Sequence, residues 1–152
     1  MSGSREKSRF YSKTPAEEIH PSEIEEPVLS VEQRNMYWDG WNLFNARQFW
    51  HAHEAWEEVW KQRPEKSRIF FQGIIQLAAA YHLLTEKRPG GMSKNFDKAE
   101  KKLRLCPNTF LQVEVQLLLN GIDQARADIR RIGHGHLDAF DMTLIPTITP
   151  QQ

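Results

Sequence analysis

Cysteine, net charge and long apolar runs are all scarce in this sequence, and each scarcity excludes a class of protein. The single cysteine, Cys106, excludes an internal disulfide framework and a multi-cysteine zinc site, and it is compatible with a reducing compartment. The 20 basic and 20 acidic residues cancel, which argues against a nucleic-acid binder because phosphate contacts need a concentrated basic patch. The longest apolar run, IFFQGIIQLAAAYHLL, contains two glutamines and a histidine and is too short to span a membrane. We therefore expect a soluble, cytoplasmic protein.

The first 30 residues lack the apolar periodicity of the rest of the chain. The basic start, MSGSREKSRFYSKTP, is not followed by an apolar core, so it does not read as a secretory signal, and a plastid location is the alternative to the cytoplasm. Residues 16–26 are acidic instead. We predict a flexible N-terminal arm at 1–30, a single all-helical domain at 31–146, and a C-terminal tail at 147–152. The prolines of LIPTITPQQ favour an extended tail that lies across the domain.

From Val31 onward, apolar residues recur at helical spacing, which predicts an all-α fold. We expect a compact bundle of five or six helices. The first helix ends near Asn45, the second runs from about Gln48 to Gln62, and the third from roughly Glu65 to Leu84. The sequence RPGG at 88–91 is typical of a turn, so a fourth helix is predicted from Ser93 to Pro107.

The segment FLQVEVQLLL at 110–119 is ambiguous between strand and helix. Its valines alternate as in a strand, whereas the spacing of Phe110, Val113 and Leu117 suits a helix, and the helical context favours the latter. A last amphipathic helix is predicted after NGID, and GHGH ends it. His134 and His136 in that stretch are interpreted as a helix end rather than a site.

The second helix carries the most informative pattern. His53 shares one face with Phe49, Trp56 and Trp60, so its ring loses water on folding and needs a hydrogen-bonding partner. Glu57 follows one turn later. On the otherwise apolar third helix, Gln72 and Gln76 share a stripe and raise the same demand. The sequence therefore predicts a semi-buried network of His53, Glu57, Gln72 and Gln76 between these two helices.

This network has two interpretations. In one, it lines a pocket for a small polar ligand, with His53 and Glu57 as candidate catalytic residues. Three tryptophans, Trp50, Trp56 and Trp60, would then supply flat walls. The residues predicted to bind the ligand are His53, Glu54, Glu57, Trp60, Gln72 and Gln76. In the other, the network only fixes the register of two helices, and the protein is a structural or interaction module whose exposed aromatic residues favour a homo-oligomer.

A metal-dependent enzyme is a further alternative. His53 and Glu57 offer two ligands, but a catalytic zinc ion needs three protein ligands, and the third would have to come from His82 or Glu54. His82 is predicted on a different face from the glutamines, and no metalloprotease or di-iron spacing occurs. We therefore assign no metal and no cofactor. Cys106 falls on the apolar stripe of the fourth helix, whose lysines are interpreted as a solvated face.

Four quoted stretches occur in the order found in one known family. LFNARQFWHAHEAWEEVW, FFQGIIQLAAAYHLL, KAEKKL and NGID together resemble domain of unknown function 309, a family of bacteria, archaea and plastids, over roughly residues 33–146. The resemblance implies a compact all-α bundle and no particular reaction. The characteristic positions of the family fall on Phe44, Asn45, His53, Glu54, Glu57, Trp60, Gln72, Gly73, Gln76 and Ala78.

This chain departs from the family pattern at one position. Arg47 stands where the family usually has glycine, two residues after the asparagine. We expect a different turn between the first two helices, and a cation near the mouth of the predicted site.

Overall fold

A computed structural model describes residues 20–61 and 65–151 of the chain. Within them are five α-helices, and the predicted all-α bundle is confirmed. The helices are α1 (Val31–Asn45), α2 (Phe49–Trp60), α3 (Glu65–Thr85), α4 (Pro89–Leu103) and α5 (Val115–Ile132). A small antiparallel hairpin, β1 (Thr109–Phe110) and β2 (Val113–Glu114), separates α4 from α5.

The central helix of the bundle is α3, which packs against both α2 and α4, while α1 packs against α2. Apolar side chains surround α3 on most sides, as its sequence predicted, and bury it. The buried apolar side chains of α3 are Ile69, Phe70, Phe71, Ile74, Ile75, Leu77, Ala78, Ala80, Tyr81 and Leu84. In the part of the chain that the structure describes, no helix combines the length and apolar character needed to cross a membrane.

Part of the predicted N-terminal arm belongs to the folded domain. The predicted arm at residues 1–19 lies outside the described residues. Residues 20–30 belong to the packed domain, because Ile24 and Leu29 are buried in its core. Ser30 then starts α1 with reciprocal hydrogen bonds: its hydroxyl accepts from the Gln33 amide at 3.1 Å, and its amide donates to Gln33 Oε1 at 3.0 Å. Two isolated apolar residues thus attach a segment that showed no periodicity.

The start of α4 corrects the sequence prediction at RPGG. The helix begins at Pro89 rather than near Ser93, so the segment read as a turn supplies its first residues. Proline suits this position because a first-turn amide needs no helical partner. The reversal occurs earlier instead, at Lys87, whose backbone adopts a left-handed conformation with φ of 59°. Gly91 lets the new helix approach α3, since a methyl group there would lie 2.9 Å from Leu83.

The prediction for the segment FLQVEVQLLL was also wrong in part. A helix was favoured there, but the chain forms the hairpin first, with Phe110 opposite Val113 and both side chains buried. The turn between them places Leu111 and Gln112 at φ values of 46° and 62°, the positive values that a two-residue hairpin turn requires. From Val115, α5 then runs unbroken through NGID to Ile132.

The C-terminal tail lies across the junction of α1 and α2, as its prolines suggested. Asn45 holds it by two hydrogen bonds: its side-chain amide donates to the Ile148 carbonyl at 2.8 Å, and its Oδ1 accepts from the Ile148 amide at 2.9 Å. Arg47 Nη2 donates to the Ile145 carbonyl at 2.9 Å. Ile145 and Ile148 are buried, so the tail completes the core.

Candidate functional site

His53 lies at the edge of the α2 core face, as its position on the helix predicted. Its neighbours Phe49, Trp56 and Trp60 are buried, while the His53 side chain is 15% exposed. Nδ1 is buried and lies 2.9 Å from Glu57 Oε1. The carboxylate is out of line with the N–H direction, so this contact is an electrostatic pairing rather than an aligned hydrogen bond. Nε2 forms no hydrogen bond within the described ranges and is not among the buried unpartnered atoms, so we infer that it contributes to the exposed part of the ring.

Trp50 covers one face of His53. The two rings are stacked, with centroids 4.7 Å apart and planes 10° from parallel. The indole is 46% exposed and also lies 5.3 Å from the His82 ring. Of the three tryptophans predicted as walls, only Trp50 reaches the surface. The other two belong to the core, where Trp56 Nε1 donates to the Tyr37 carbonyl at 3.0 Å.

Burial lowers the pKa of His53 below its ordinary value of 6.5. Glu54 acts in the opposite direction through its charge, and His82 lowers the pKa further. The imidazole is therefore neutral at neutral pH. Because the Glu57 carboxylate lies against Nδ1, the favoured tautomer carries its proton there and leaves a lone pair on Nε2. His53 thus offers a hydrogen-bond acceptor at the surface.

The lowered pKa of His53 predicts that acid destabilises the fold. The unfolded chain binds this proton more readily, so the stability that neutral His53 contributes is present above pH 6.5 and is lost as the pH falls through the folded-state pKa. Urea unfolding at pH 7.5, 6.0 and 5.0 should show a smaller loss on acidification in His53→Gln than in the wild type. His51→Gln, on the exposed side of the same helix, is the matched control and should keep the wild-type dependence. An unchanged pH profile in His53→Gln would place the titration elsewhere.

The two glutamines do not join His53. Gln76 Oε1 instead accepts from Lys102 Nζ on α4 at 2.9 Å, and Gln72 is buried in the interior. Within residues 20–61 and 65–151, no hydrogen bond connects His53 with either glutamine. The predicted network is thereby divided into a His53–Glu57 pair on α2 and a Gln76–Lys102 pair between α3 and α4.

The division follows from the packing of α3. Gly73, beside Gln72, faces α4 so closely that a methyl group there would lie 2.9 Å from Leu103 Cδ2. A helical wheel of α3 shows that the glutamines share a stripe, but it does not show which neighbouring helix covers that stripe. The residue that pairs with the stripe is Lys102 on α4. It was assigned to a solvated face together with the other α4 lysines, yet it is half-buried and bonded to Gln76.

The two remaining predicted ligand-binding residues lie on opposite sides of α2. Glu54 is exposed, with Oε1 3.3 Å from Nδ1 of His51. Trp60 is buried in the core. Glu54 lies one helical turn after Trp50 and its charge acts on His53, so it borders the surface formed by Trp50 and the edge of His53. Trp60 does not reach that surface.

Metal-ligating and nucleophilic groups are dispersed. In the described ranges, no three side chains of His, Cys, Asp or Glu come together in an arrangement that could hold a metal ion. Cys106 is half-buried, and burial raises the pKa of its thiol to about 12, so it stays protonated and unreactive. His134 and His136 are exposed in the short 3-10 helix after α5.

Comparison with known proteins identifies one related family. Residues 37–95 match the family described as domain of unknown function (DUF309). The match covers most of α1, all of α2 and α3 and the start of α4, a shorter stretch than the predicted 33–146. It contains His53, Glu57, Gln72 and Gln76. No curated protein and no solved structure matches the chain. The helices that carry the candidate site thus lie within the segment that is similar to the DUF309 family.

Proposed function

We propose that this helical domain binds a small polar ligand at the surface formed by Trp50 and the edge of His53. The observation that carries the proposal is the half-buried His53 ring, fixed between the stacked indole of Trp50 and the carboxylate of Glu57. A flat apolar wall beside one oriented polar atom is the usual composition of a small-molecule site.

The orientation of His53 defines the chemistry of the ligand. With the Glu57 carboxylate beside Nδ1, the neutral ring presents Nε2 as an acceptor, so the ligand must supply an N–H or O–H donor. The indole of Trp50 would cover an adjacent planar or apolar part of the ligand. The same Nε2 lone pair is suited to remove a proton from a bound hydroxyl or amine, which is the step His53 would perform as a general base.

A protein-interaction role is the second candidate, and Trp50 favours it. An indole that is 46% exposed presents a large apolar surface to solvent, and tryptophan often anchors protein interfaces. In that role His53 and Glu57 would hold the Trp50 ring in a fixed orientation. Both candidates use the same surface, but they differ in what is bound there.

A thermal-shift screen of metabolites distinguishes the candidates, because a ligand that binds only the folded state raises its melting temperature. We expect compounds with an N–H or O–H donor beside a flat ring to raise the melting temperature of the wild type and of His51→Ala. The same compounds should not shift His53→Ala. Compounds that raise the melting temperature of all three proteins equally bind elsewhere, and that result would refute the proposed site at His53. If no compound shifts the wild type and Trp50→Ala abolishes self-association in sedimentation, the interaction role replaces it.

A further inference from the structure

Arg47 and Tyr81 each carry a buried hydrogen-bonding group, and both residues lie outside the His53 site. Nη1 of Arg47 and the hydroxyl group of Tyr81 are both buried, and neither forms a hydrogen bond with any group in the described ranges. A buried polar group without a partner costs about 1 to 3 kcal/mol, and more when it is charged. Native proteins rarely retain two such groups close together unless a bound molecule satisfies them.

The C-terminal tail brings the two groups together. Arg47 Nη2 donates to the carbonyl of Ile145, which precedes Pro146 in the tail. A methyl group built on Gly121 would lie 2.8 Å from Pro146 Cδ and 3.2 Å from the Tyr81 hydroxyl. The Tyr81 hydroxyl therefore lies near the Pro146 ring, while Arg47 binds the carbonyl of the preceding residue, Ile145. Both groups thus lie beside the same peptide of the tail.

Both groups are donors. Burial raises the pKa of Tyr81, and the nearby Arg47 charge only partly opposes this, so the phenol stays protonated. The Arg47 guanidinium is permanently charged, and among the described residues no Asp or Glu forms an ion pair with it. Two donors and a positive charge without an ion-pair partner favour an acceptor that carries negative charge.

The backbone fixes Arg47 in this place. Its φ of 66° is left-handed, and its amide donates to the Phe44 carbonyl at 2.9 Å, which forms a tight turn between α1 and α2. A non-glycine residue rarely adopts this conformation, and its cost is tolerated when the surroundings enforce it. The turn directs the Arg47 side chain towards Ile145, beneath the tail.

We propose that Arg47 and Tyr81 form a binding site for a small monovalent anion, enclosed by the tail at Ile145–Pro146. Two donors suit a small acceptor such as a halide ion or the carboxylate of a compact acid. Nη1 and the Tyr81 hydroxyl donate to the anion, while Nη2 keeps its bond to Ile145. The site is separate from His53 and does not depend on the proposed function.

The first test measures the melting temperature at increasing concentrations of bromide or of formate. A bulky sulfonate salt keeps the ionic strength constant. We expect both anions to raise the melting temperature of the wild type and of Arg34→Gln, a control in which an exposed arginine of α1 is neutralised. Tyr81→Phe should bind roughly ten-fold more weakly, because one hydrogen bond to a charged group is lost. Arg47→Gln should not respond. A response to bromide alone identifies a halide site, and a response to formate alone identifies a carboxylate site.

Equal responses in the wild type and Arg47→Gln, or no response in the wild type, would overturn the proposal. The second test does not depend on a variant that folds. Anomalous diffraction from wild-type crystals grown in bromide should show a bromide peak bounded by Arg47 Nη1 and the Tyr81 hydroxyl. A water molecule at that position, in crystals that hold bromide elsewhere, would replace the anion and refute the site.

Discussion

Gly40→Ala is expected to destabilise the protein by about 3 kcal/mol or more, because the added methyl group would overlap the ring of Trp56. Two atoms of the indole, Cδ1 and Cε2, would lie 2.6 and 2.7 Å from the new Cβ, and Nε1 would be closer still. The ring has little room to move, since it is fully buried with its centroid 4.5 Å from that of Trp41. Any shift also weakens the hydrogen bond from Nε1 to the Tyr37 carbonyl.

The matched control is Gly90→Ala in the first turn of α4. A methyl group there meets no atom within 4 Å, so the higher helix propensity of alanine should stabilise the protein by about 0.5 to 1 kcal/mol. Urea unfolding followed by far-ultraviolet circular dichroism compares the two variants. Equal free energies of unfolding for Gly40→Ala and Gly90→Ala would show that α1 and α2 do not pack as closely as described.

Asn45→Ala is expected to cost about 2 kcal/mol and to release the C-terminal tail. The substitution removes both hydrogen bonds to Ile148 and leaves that buried amide and carbonyl without the side chain that satisfies them. Limited proteolysis should then cut between Ile145 and Ile148 in the variant, at a concentration of protease that leaves the wild type intact.

Asn42→Ala, one turn earlier on the same helix, is the control. The Asn42 side chain is exposed, so its removal should leave both stability and cleavage at wild-type values. If the tail resists protease in Asn45→Ala, the buried side chains of Ile145 and Ile148 are sufficient to hold it.

Individual helices could be predicted from the sequence because each one carries its own periodicity. The limits of α1 agree with the prediction, and α2 and α3 agree to within two residues, since their apolar faces are long and regular. The errors fell at short segments. At Lys87 and at Leu111–Gln112, one or two backbone conformations decide the structure, and non-glycine residues with positive φ have no clear sequence signature.

The candidate site could be predicted in part for the same reason. His53 and Glu57 lie one turn apart on a single helix, so local spacing was enough to pair them. The partner of Gln76 is Lys102, which is 26 residues away on another helix. Which helix covers a polar stripe depends on tertiary packing. The sequence around Gln76 or around Lys102 therefore does not predict that the two side chains meet.

The tail also has a consequence for the order of folding. The main helix contacts join neighbours along the chain, whereas Asn45 and Ile148 are separated by 103 positions. Closing so long a loop costs entropy before any contact repays it, and contacts of large sequence separation slow folding. We expect the helices to assemble first and the tail to dock late, so that the junction of α1 and α2 is covered only after the helices have packed together.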